Sequence, residues 1–308
     1  MERLKNFLEK NDIEFELNFD VSQISSIKLG GLLDIAIFPK SEKEFEKLLI
    51  FLYKKKFYYK VIGNVSNVLF IENIHYPVII TNKMNDKVVI DKNVVKVSAG
   101  VLVSKFCDIL KKNGLSGYEG IIGIPATVGG AIINNAGAFG YSISDKLKSI
   151  KVFFNGKIFD IEKKEIKFGH HYSNLKGLII LSATFLFEFK NEYDIICLCN
   201  EFTYKRTNSQ PSGLSLGSVF KQVNGKSAGF YIERAGLKNE RVGGIVISSK
   251  HANFFVNDKS GSVLDFLRLL AITQNLVDKE FGVMLVPEIE KVGDKNENFS
   301  RFSYSFKE

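Results

Sequence analysis

Helical and strand-like patterns of apolar residues alternate along the chain and predict a mixture of helices and strands. Helical spacing occurs at residues 2–10, from Ser41 to about Lys55, at Val101–Lys112, at 190–206, at 226–235 and from Ser262 to about Glu280. Short apolar or alternating runs predict strands at 13–18, Leu33–Phe38, Lys60–Ile62, Val68–Ile71, 77–82, 86–91, 94–98, 148–154, 157–161, 178–188, 243–247, 252–257 and Val283–Ile289. The interleaved order, without internal repeats, favours an α+β fold.

Local signals predict where several of these elements begin and end. Ser41 followed by Glu44 is the pattern of a capping box at a helix start. Gly114 and Gly236 lie where helices should stop, because glycine adopts the left-handed conformation at little cost. Asn155-Gly156 between two strand-like runs predicts a type I′ hairpin turn.

The order of elements predicts two domains, with a boundary near residue 195. The first domain, residues 1–195, would be mixed and made of two lobes, about 1–75 and 76–195. The second, residues 196–308, would be smaller and close over a nucleotide-like cofactor held by the first.

Composition narrows the classes of function. The net charge is +8 over 308 residues, but the lysines are scattered, so an anionic small molecule or plain solubility explains the charge better than nucleic acid. Three cysteines (Cys107, Cys197, Cys199) are too few for a disulfide framework and lack metal-site spacing, so we expect buried apolar residues. The charged amphipathic N-terminus and the short apolar runs predict a cytoplasmic protein without a membrane segment.

The stretch from Gly117 to Gly140 carries seven of the 25 glycines and only one charged residue, Glu119. Small residues let the backbone approach a large ligand closely. Free N–H groups and a turn into a helix at Gly129–Ala131 would suit a phosphate or pyrophosphate. The alternative is a tight turn packed between core elements.

The polar turn Gly63–Asn67 follows a predicted strand, helix and strand. Such a turn can cradle phosphate. An ordinary surface loop explains this pentapeptide equally well.

Several motifs, in register, resemble the UDP-N-acetylenolpyruvoylglucosamine reductase family. The N-terminal ones are Ser25–Leu33 (SSIKLGGLL), Gly63–Asn67, Gly123–Ala131 (GIPATVGGA) and Asn135–Gly140 (NAGAFG). The C-terminal ones are Gln210-Pro211, Gly217–Gln222 (GSVFKQ), Ala235–Lys238, Ser249–Asn257 and Pro287–Ile289. The resemblance spans about residues 20 to 290, and several motifs in one order outweigh any single motif.

This resemblance implies the fold and the reaction. The fold would be a two-lobed FAD-binding domain of the vanillyl-alcohol-oxidase-like type, followed by a smaller α/β substrate-binding domain. NADPH would reduce FAD, which would reduce UDP-N-acetylglucosamine enolpyruvate to UDP-N-acetylmuramate for peptidoglycan synthesis. The short spacing from Ser218 to Glu288 resembles the short form of the family, without its extra substrate loop. We expect a monomer whose partner is the UDP-sugar substrate.

The resemblance also implies roles for individual residues. Ser218 would donate a proton, and Glu288, expected to be protonated, would polarise the substrate carboxylate region or assist the proton transfer. FAD-binding residues would be Gly63, Asn64, Ser66, Asn67, Ile124, Pro125, Thr127, Val128, Gly130, Ala131, Asn135, Gly137 and Ala138. Lys221, Gln222, Lys250 and His251 would bind substrate, although Lys250 and His251 are equally well explained as loop residues.

The sequence departs from the family pattern at five positions. Val65 and Ala126 replace glycines, adding side chains where backbone should meet phosphate, and Gln222 replaces an asparagine. His170 replaces a tyrosine, and His171 stands where the family has the arginine that faces the flavin. We hypothesise that His171 acts as an imidazolium, so that activity falls as pH rises through its pKa.

Alternatives to these interpretations stay open. His170 and His171 would otherwise be surface loop residues, and a two-histidine metal site lacks a third ligand at suitable spacing. The protein as a whole could instead be another FAD oxidoreductase, such as an oxidase of small alcohols or sugars. It could also be a non-catalytic FAD or nucleotide-sugar binding protein.

Overall fold

The computed structural model of the protein describes residues 1–84 and 87–293, which form helices and strands in mixed order. The helices of this part of the chain are α1 (Glu2–Lys10), α2 (Glu42–Lys54), α3 (Val103–Lys112), α4 (Val128–Ile133), α5 (Glu192–Ser209), α6 (Ala228–Arg234) and α7 (Val263–Phe281). Its strands are β1 (Glu14–Asp20), β2 (Leu32–Phe38), β3 (Lys60–Ile62), β4 (Val68–Phe70), β5 (Val78–Ile80), β6 (Val88–Asp91), β7 (Val94–Ser98), β8 (Leu115–Ser116), β9 (Gly137–Ala138), β10 (Tyr141–Ser142), β11 (Leu147–Phe154), β12 (Lys157–Glu162), β13 (Phe168–Gly169), β14 (Tyr172–Ser173), β15 (Ile179–Leu186), β16 (Glu188–Phe189), β17 (Leu214–Ser218), β18 (Arg241–Val242), β19 (Ile245–Ile247), β20 (Phe254–Asn257) and β21 (Glu290–Val292).

A four-stranded sheet in the order β1-β2-β5-β3 forms the first lobe. Strands β2, β5 and β3 run parallel, and β1 closes the edge in antiparallel direction. Helix α2 makes the crossover before β3 and buries Phe45, Leu48, Leu49 and Leu52 along one face. Half of the predicted capping box is present. The Ser41 hydroxyl accepts the Glu44 N–H at 3.2 Å, but the Glu44 carboxylate accepts the Lys40 N–H at 2.9 Å instead of the Ser41 N–H.

An antiparallel five-stranded sheet in the order β12-β11-β15-β7-β6 forms the second lobe. The hairpin between β11 and β12 turns at Asn155 and Gly156, whose φ angles of 47° and 78° fit the predicted type I′ turn. Helix α4 packs on β7 and β15, so the glycine-rich stretch lies across this sheet. One continuous apolar core joins this lobe with α1 and α2.

A second antiparallel sheet, β17-β20-β19-β18, lies in the C-terminal part and packs with α6 and α7. Helix α7 begins at a capping box in which the Ser262 hydroxyl accepts the Asp265 N–H and the Asp265 carboxylate accepts the Ser262 N–H. Gly282 ends the same helix in the left-handed conformation. Beyond α7 the chain returns to the first lobe, where β21 pairs in parallel with β4.

The predicted last strand, Val283–Ile289, is wrong. The segment forms only an isolated bridge between Phe220 and Pro287, and the strand lies at Glu290–Val292 instead. Leu285 and Ile289 are buried, which explains the strand-like apolar pattern. A ladder cannot continue through Pro287 because proline has no N–H to donate.

The predicted domain boundary near residue 195 falls within α5. The division of the chain into domains stays a prediction.

Cys107 and Cys199 are buried as expected, but the expectation for Cys197 is wrong because it is exposed. Residues two apart point to different sides of a helix, so Cys197 and Cys199 cannot share the buried face of α5. Residue 86 of the predicted strand 86–91 lies outside the described residues.

Candidate active site

Two of the predicted catalytic residues, His171 and Glu288, lie in direct contact. His171 Nδ1 is 2.7 Å from Glu288 Oε1, although the residues are 117 positions apart in the chain. Both side chains are largely covered, with 31% and 18% of their surface exposed. The contact joins the second lobe to the C-terminal part of the chain.

A short hairpin holds His171 in place. Strands β13 and β14 flank the turn, and His171 itself adopts a left-handed conformation with φ of 48°. The hairpin is tied to the end of α4 on both sides. Asn135 Nδ2 donates to the Gly169 carbonyl at 2.8 Å, and Ser173 Oγ donates to the Ile133 carbonyl at 2.5 Å. The glycine-rich stretch therefore positions the histidine.

Glu288 shifts the pKa of His171. Its hydrogen bond raises the pKa of His171 above the ordinary value of 6.5, while burial opposes the rise. The protonated imidazole is therefore favoured to a higher pH than in an isolated histidine. This is the form that the sequence-based hypothesis requires, a cation in the place of the family's arginine.

Ser218, the predicted proton donor, ends β17 and begins a segment that runs beside Glu288. The Glu288 N–H donates to the Val219 carbonyl at 2.8 Å, and the Lys221 N–H donates to the Val286 carbonyl at 2.8 Å. Gly217, with φ of 76°, has no atom within 4 Å of where a side chain would point, so open space lies beside Gly217. The fold thus brings segments 218–221 and 286–288 together with His171.

The four predicted substrate-binding residues differ in whether their side chains already make hydrogen bonds within the protein. Lys221 is exposed, whereas the Gln222 side-chain amide donates to the Gly225 carbonyl at 3.0 Å. Lys250 Nζ donates to the Thr207 carbonyl at 2.5 Å, and His251 Nδ1 accepts the Asn253 N–H at 3.2 Å. Burial lowers the pKa of His251, which disfavours its charged form.

The two stretches predicted to bind the FAD diphosphate meet each other. Asn64 Nδ2 donates to the Pro125 carbonyl at 2.9 Å. A methyl group added at Gly63 would come within 2.4 Å of Thr127 Oγ1, so only glycine allows this approach. Within residues 1–84 and 87–293, the N–H groups of Asn64, Val65 and Ser66 donate to no protein acceptor. Such a row of free N–H groups fits an anionic diphosphate.

The start of α4 does not offer the free N–H groups that the sequence predicts. Val128 N–H donates to the Val101 carbonyl, Gly129 N–H to the Ala99 carbonyl, and Ala131 N–H to the Thr127 carbonyl, each at 2.8 Å. Gly130 N–H donates to the Thr127 hydroxyl at 3.3 Å. These groups are already satisfied, whereas the 63–67 turn keeps free N–H groups, and which donors bind a diphosphate stays a prediction.

Other predicted cofactor-binding residues lie around this junction. Asn67 is joined to the C-terminal segment, because its carbonyl accepts the Glu290 N–H at 2.9 Å. Ser66 and Ile124 are half-buried, and Gly137 and Ala138 form β9, beside Tyr141 and Ser142. Whether these residues contact FAD stays a prediction.

The two replacements of glycine do not obstruct this region as the sequence suggests. Val65 has φ of 50°, unfavourable for a β-branched residue, but its side chain is 1% exposed and buried in the core of the first lobe. Ala126 packs against the large core. Both side chains belong to the apolar packing, which offsets part of the strain at Val65.

Two residues near the cofactor stretches are absent from the sequence-based predictions. Asn82 Nδ2 lies 3.4 Å from Asn64 Oδ1, and its own buried Oδ1 has no partner in the described part of the chain. Arg206 donates to the Ile122 carbonyl at 3.2 Å and lies over the Phe139 ring. Burial lowers the pKa of Arg206. Neither residue belongs to a motif, and only their position reveals them.

Similarity to known proteins agrees with this architecture. A family model described as FAD binding domain matches residues 33–161. One described as UDP-N-acetylenolpyruvoylglucosamine reductase, C-terminal domain, matches residues 210–292. The reductase of that name from Caldicellulosiruptor saccharolyticus is 36% identical, over 93% of this chain and 94% of that protein. The Prochlorococcus marinus reductase is also 36% identical, over 92% of this chain and 98% of that protein.

A solved structure shows the same overall fold. The crystal structure of UDP-N-acetylenolpyruvylglucosamine reductase from Thermus caldophilus matches with a TM-score of 0.77 and 30% identity, covering 91% of this chain and 98% of that one. Fold and matches together define an FAD-dependent oxidoreductase. The chain belongs to the UDP-N-acetylenolpyruvoylglucosamine reductase family. The predicted family, fold class, enzyme class and FAD cofactor are confirmed.

Residues 1–84 and 87–293 contain neither a membrane-spanning helix nor a cluster of metal-binding side chains. No helix there is long and apolar enough to cross a membrane. The same residues contain no group of three or more His, Cys, Asp or Glu side chains placed to hold a metal ion.

Proposed function

We propose that this chain reduces the enolpyruvyl group of UDP-N-acetylglucosamine enolpyruvate to give UDP-N-acetylmuramate for peptidoglycan synthesis, with NADPH as reductant. The chief support is the contact of His171 with Glu288 beside the segment that begins at Ser218. These contacts support a site to which three different segments contribute a histidine, a carboxyl group and a hydroxyl. Family membership supports the choice of substrate.

The cofactor and the protein would divide the chemistry between them. FAD would be held by the 63–67 turn, through its free N–H groups, and by residues of the adjoining 123–131 stretch. When bound, FAD supplies hydride transfer, from NADPH to the enolpyruvyl double bond. The protein residues must then stabilise negative charge on the substrate carboxylate region and deliver one proton.

Each catalytic residue would have a distinct role. The His171 imidazolium faces the developing negative charge and lowers its energy. Glu288, acting as a carboxylate rather than in the protonated form expected from the sequence, orients the ring and favours its protonation, as the direction of the His171 pKa shift indicates. The Ser218 hydroxyl gives its proton to the carbon that does not receive the hydride, which completes the two-electron reduction. Of the four substrate-binding candidates, Lys221 remains the one exposed cation with no polar contact from its side chain in the described residues.

The visible absorbance of the flavin tests the proposal in two steps without oxygen. Addition of NADPH to the FAD-loaded protein should bleach the flavin, and the enolpyruvyl sugar nucleotide should then restore its colour. A flavin that NADPH does not bleach would instead indicate a binding protein. A flavin that is bleached but reoxidised only by oxygen would indicate another oxidoreductase activity.

A further inference from the structure

A buried asparagine, Asn253, makes three hydrogen bonds to the segment that follows Ser218. Its side chain accepts the Phe220 N–H at 3.0 Å and donates to the Phe220 carbonyl at 2.8 Å. Its backbone carbonyl accepts the Val219 N–H at 2.8 Å. Asn253 is 4% exposed, so these bonds form away from water.

The two side-chain bonds satisfy both backbone polar groups of one residue, Phe220. Asn253 therefore acts on Phe220 as a neighbouring strand would, although residues 219–221 lie beyond the end of β17. The Phe220 ring is 1% exposed and packs edge-on to Phe255, with ring centroids 6.0 Å apart. Backbone and side chain of Phe220 are thus both fixed.

The same segment fixes Glu288. The Val219 carbonyl accepts the Glu288 N–H, and Phe220 forms an isolated bridge with Pro287. A shift of Phe220 would move Ser218 on one side and Glu288, with its partner His171, on the other. One side chain thereby controls the spacing of residues from three separate segments.

We propose that Asn253 is a positioning residue for the proton-delivery step, which sets Ser218 and the Glu288–His171 pair in register. Asn253 belongs to the Ser249–Asn257 motif, but nothing in the sequence assigns a role to this residue. The role rests on the proposed function and concerns only the half of the reaction in which the substrate is reduced. The residues predicted to meet the FAD diphosphate lie in the 63–67 and 123–131 stretches, which Asn253 does not contact, so we expect reduction of the flavin by NADPH not to depend on Asn253.

Two variants of similar size separate the hydrogen bonds from the packing. Asn253→Leu removes both bonds, and Asn253→Asp keeps an acceptor for the Phe220 N–H but loses the donor to its carbonyl. The FAD-loaded proteins are reduced with NADPH and then mixed with the enolpyruvyl sugar nucleotide in a stopped-flow instrument without oxygen. In both variants we expect the rate of reoxidation at saturating substrate to fall roughly 10- to 100-fold, because misplacement by about 1 Å can cost about 100-fold. The rate of flavin reduction should change less than about twofold.

Thr273→Val is the control for a general loss of stability. Thr273 is buried in α7, and its hydroxyl donates to the Leu269 carbonyl at 2.7 Å. The variant loses a buried hydrogen bond in the same part of the chain and should keep the parental rate of reoxidation. Variants of Asn253 that reoxidise at the parental rate, or lose both half-reactions equally, would overturn the positioning role. A parent protein that is not reoxidised by substrate would overturn the proposed function itself.

Discussion

His171 is the residue in which this chain departs most from the family pattern, and its surroundings compensate for the change. An arginine is always charged, whereas a histidine needs help to remain protonated near neutral pH. Glu288 gives that help through a contact of 2.7 Å. In the proposed mechanism, the exchange of arginine for histidine would make the positive charge of the site depend on pH.

Replacement of His171 by arginine should remove this pH dependence. In the parent protein, reoxidation of reduced flavin by substrate should slow as pH rises through the raised pKa of His171, because the imidazolium loses its proton. In His171→Arg the alkaline fall should disappear, and in His171→Gln the rate should be low throughout. The measurement is the anaerobic reoxidation rate between about pH 5 and 9. His170→Gln is the control, and an unchanged alkaline fall in His171→Arg would refute the role.

Ser218→Ala should slow the same step without affecting the reduction of flavin by NADPH. General acid catalysis by a positioned group contributes roughly 100- to 10,000-fold, so a loss of that order is expected. Ser212→Ala, in the loop just before β17, is the matched control and should behave as the parent. Equal rates of reoxidation in Ser218→Ala and the parent would exclude the hydroxyl as proton donor.

At the level of elements, short hydrogen-bonded turns place the functional residues, while longer helices and strands provide the support. The hairpin of His171 contains two strands of two residues each, and it is held by Asn135 and Ser173. Helix α2 is the contrasting case. Its cap, its amphipathic face and its crossover position all act within one stretch of sequence.

Loss of the α2 cap should lower stability without changing the site. In Ser41→Ala the Glu44 N–H loses its acceptor, and the free energy of unfolding should fall by about 1 kcal/mol. Lys47→Ala, at an exposed position of the same helix, should change it by less than about 0.5 kcal/mol. Urea denaturation of the three proteins measures both effects. Equal stability of Ser41→Ala and the parent would show that the cap contributes little.

For the whole molecule, the contact of His171 with Glu288 couples assembly of the site to pH. A histidine whose pKa is raised in the folded state stabilises that state fully below its unfolded pKa of about 6.5. The contribution is lost as pH rises through the folded-state pKa. Because the pair joins segments far apart in the chain, we expect its loss to weaken the association of these segments.

Stability measurements across pH test this coupling. Replacement of His171 by glutamine should lower the free energy of unfolding by up to about 1 kcal/mol near pH 6 and by much less near pH 9. His75→Gln is a matched control, since His75 contacts Asp34 at 3.2 Å but is 78% exposed and should contribute little. A stability difference for His171→Gln that does not vary with pH would contradict the coupling.

Local sequence signals determined much of the fold. The cap at Ser41, the Asn155-Gly156 turn and the stops at Gly114 and Gly236 all act between near neighbours, and the structure agrees with them. The family motifs also identified the FAD cofactor, because each motif is a short stretch of residues close together in the sequence. The strand predicted at Val283–Ile289 failed because burial against other elements produced its apolar pattern.

Tertiary structure alone decided which groups meet. The contact of His171 with Glu288, the grip of Asn253 on Phe220 and the junction of Asn64 with Pro125 each join residues far apart in sequence. Only packing determines such distances, because hydrogen bonds between remote segments form after the core has fixed their separation. The sequence by itself determined most of the elements and the cofactor, and the folded chain decided the contact that raises the pKa of His171 and which segments with predicted catalytic residues meet.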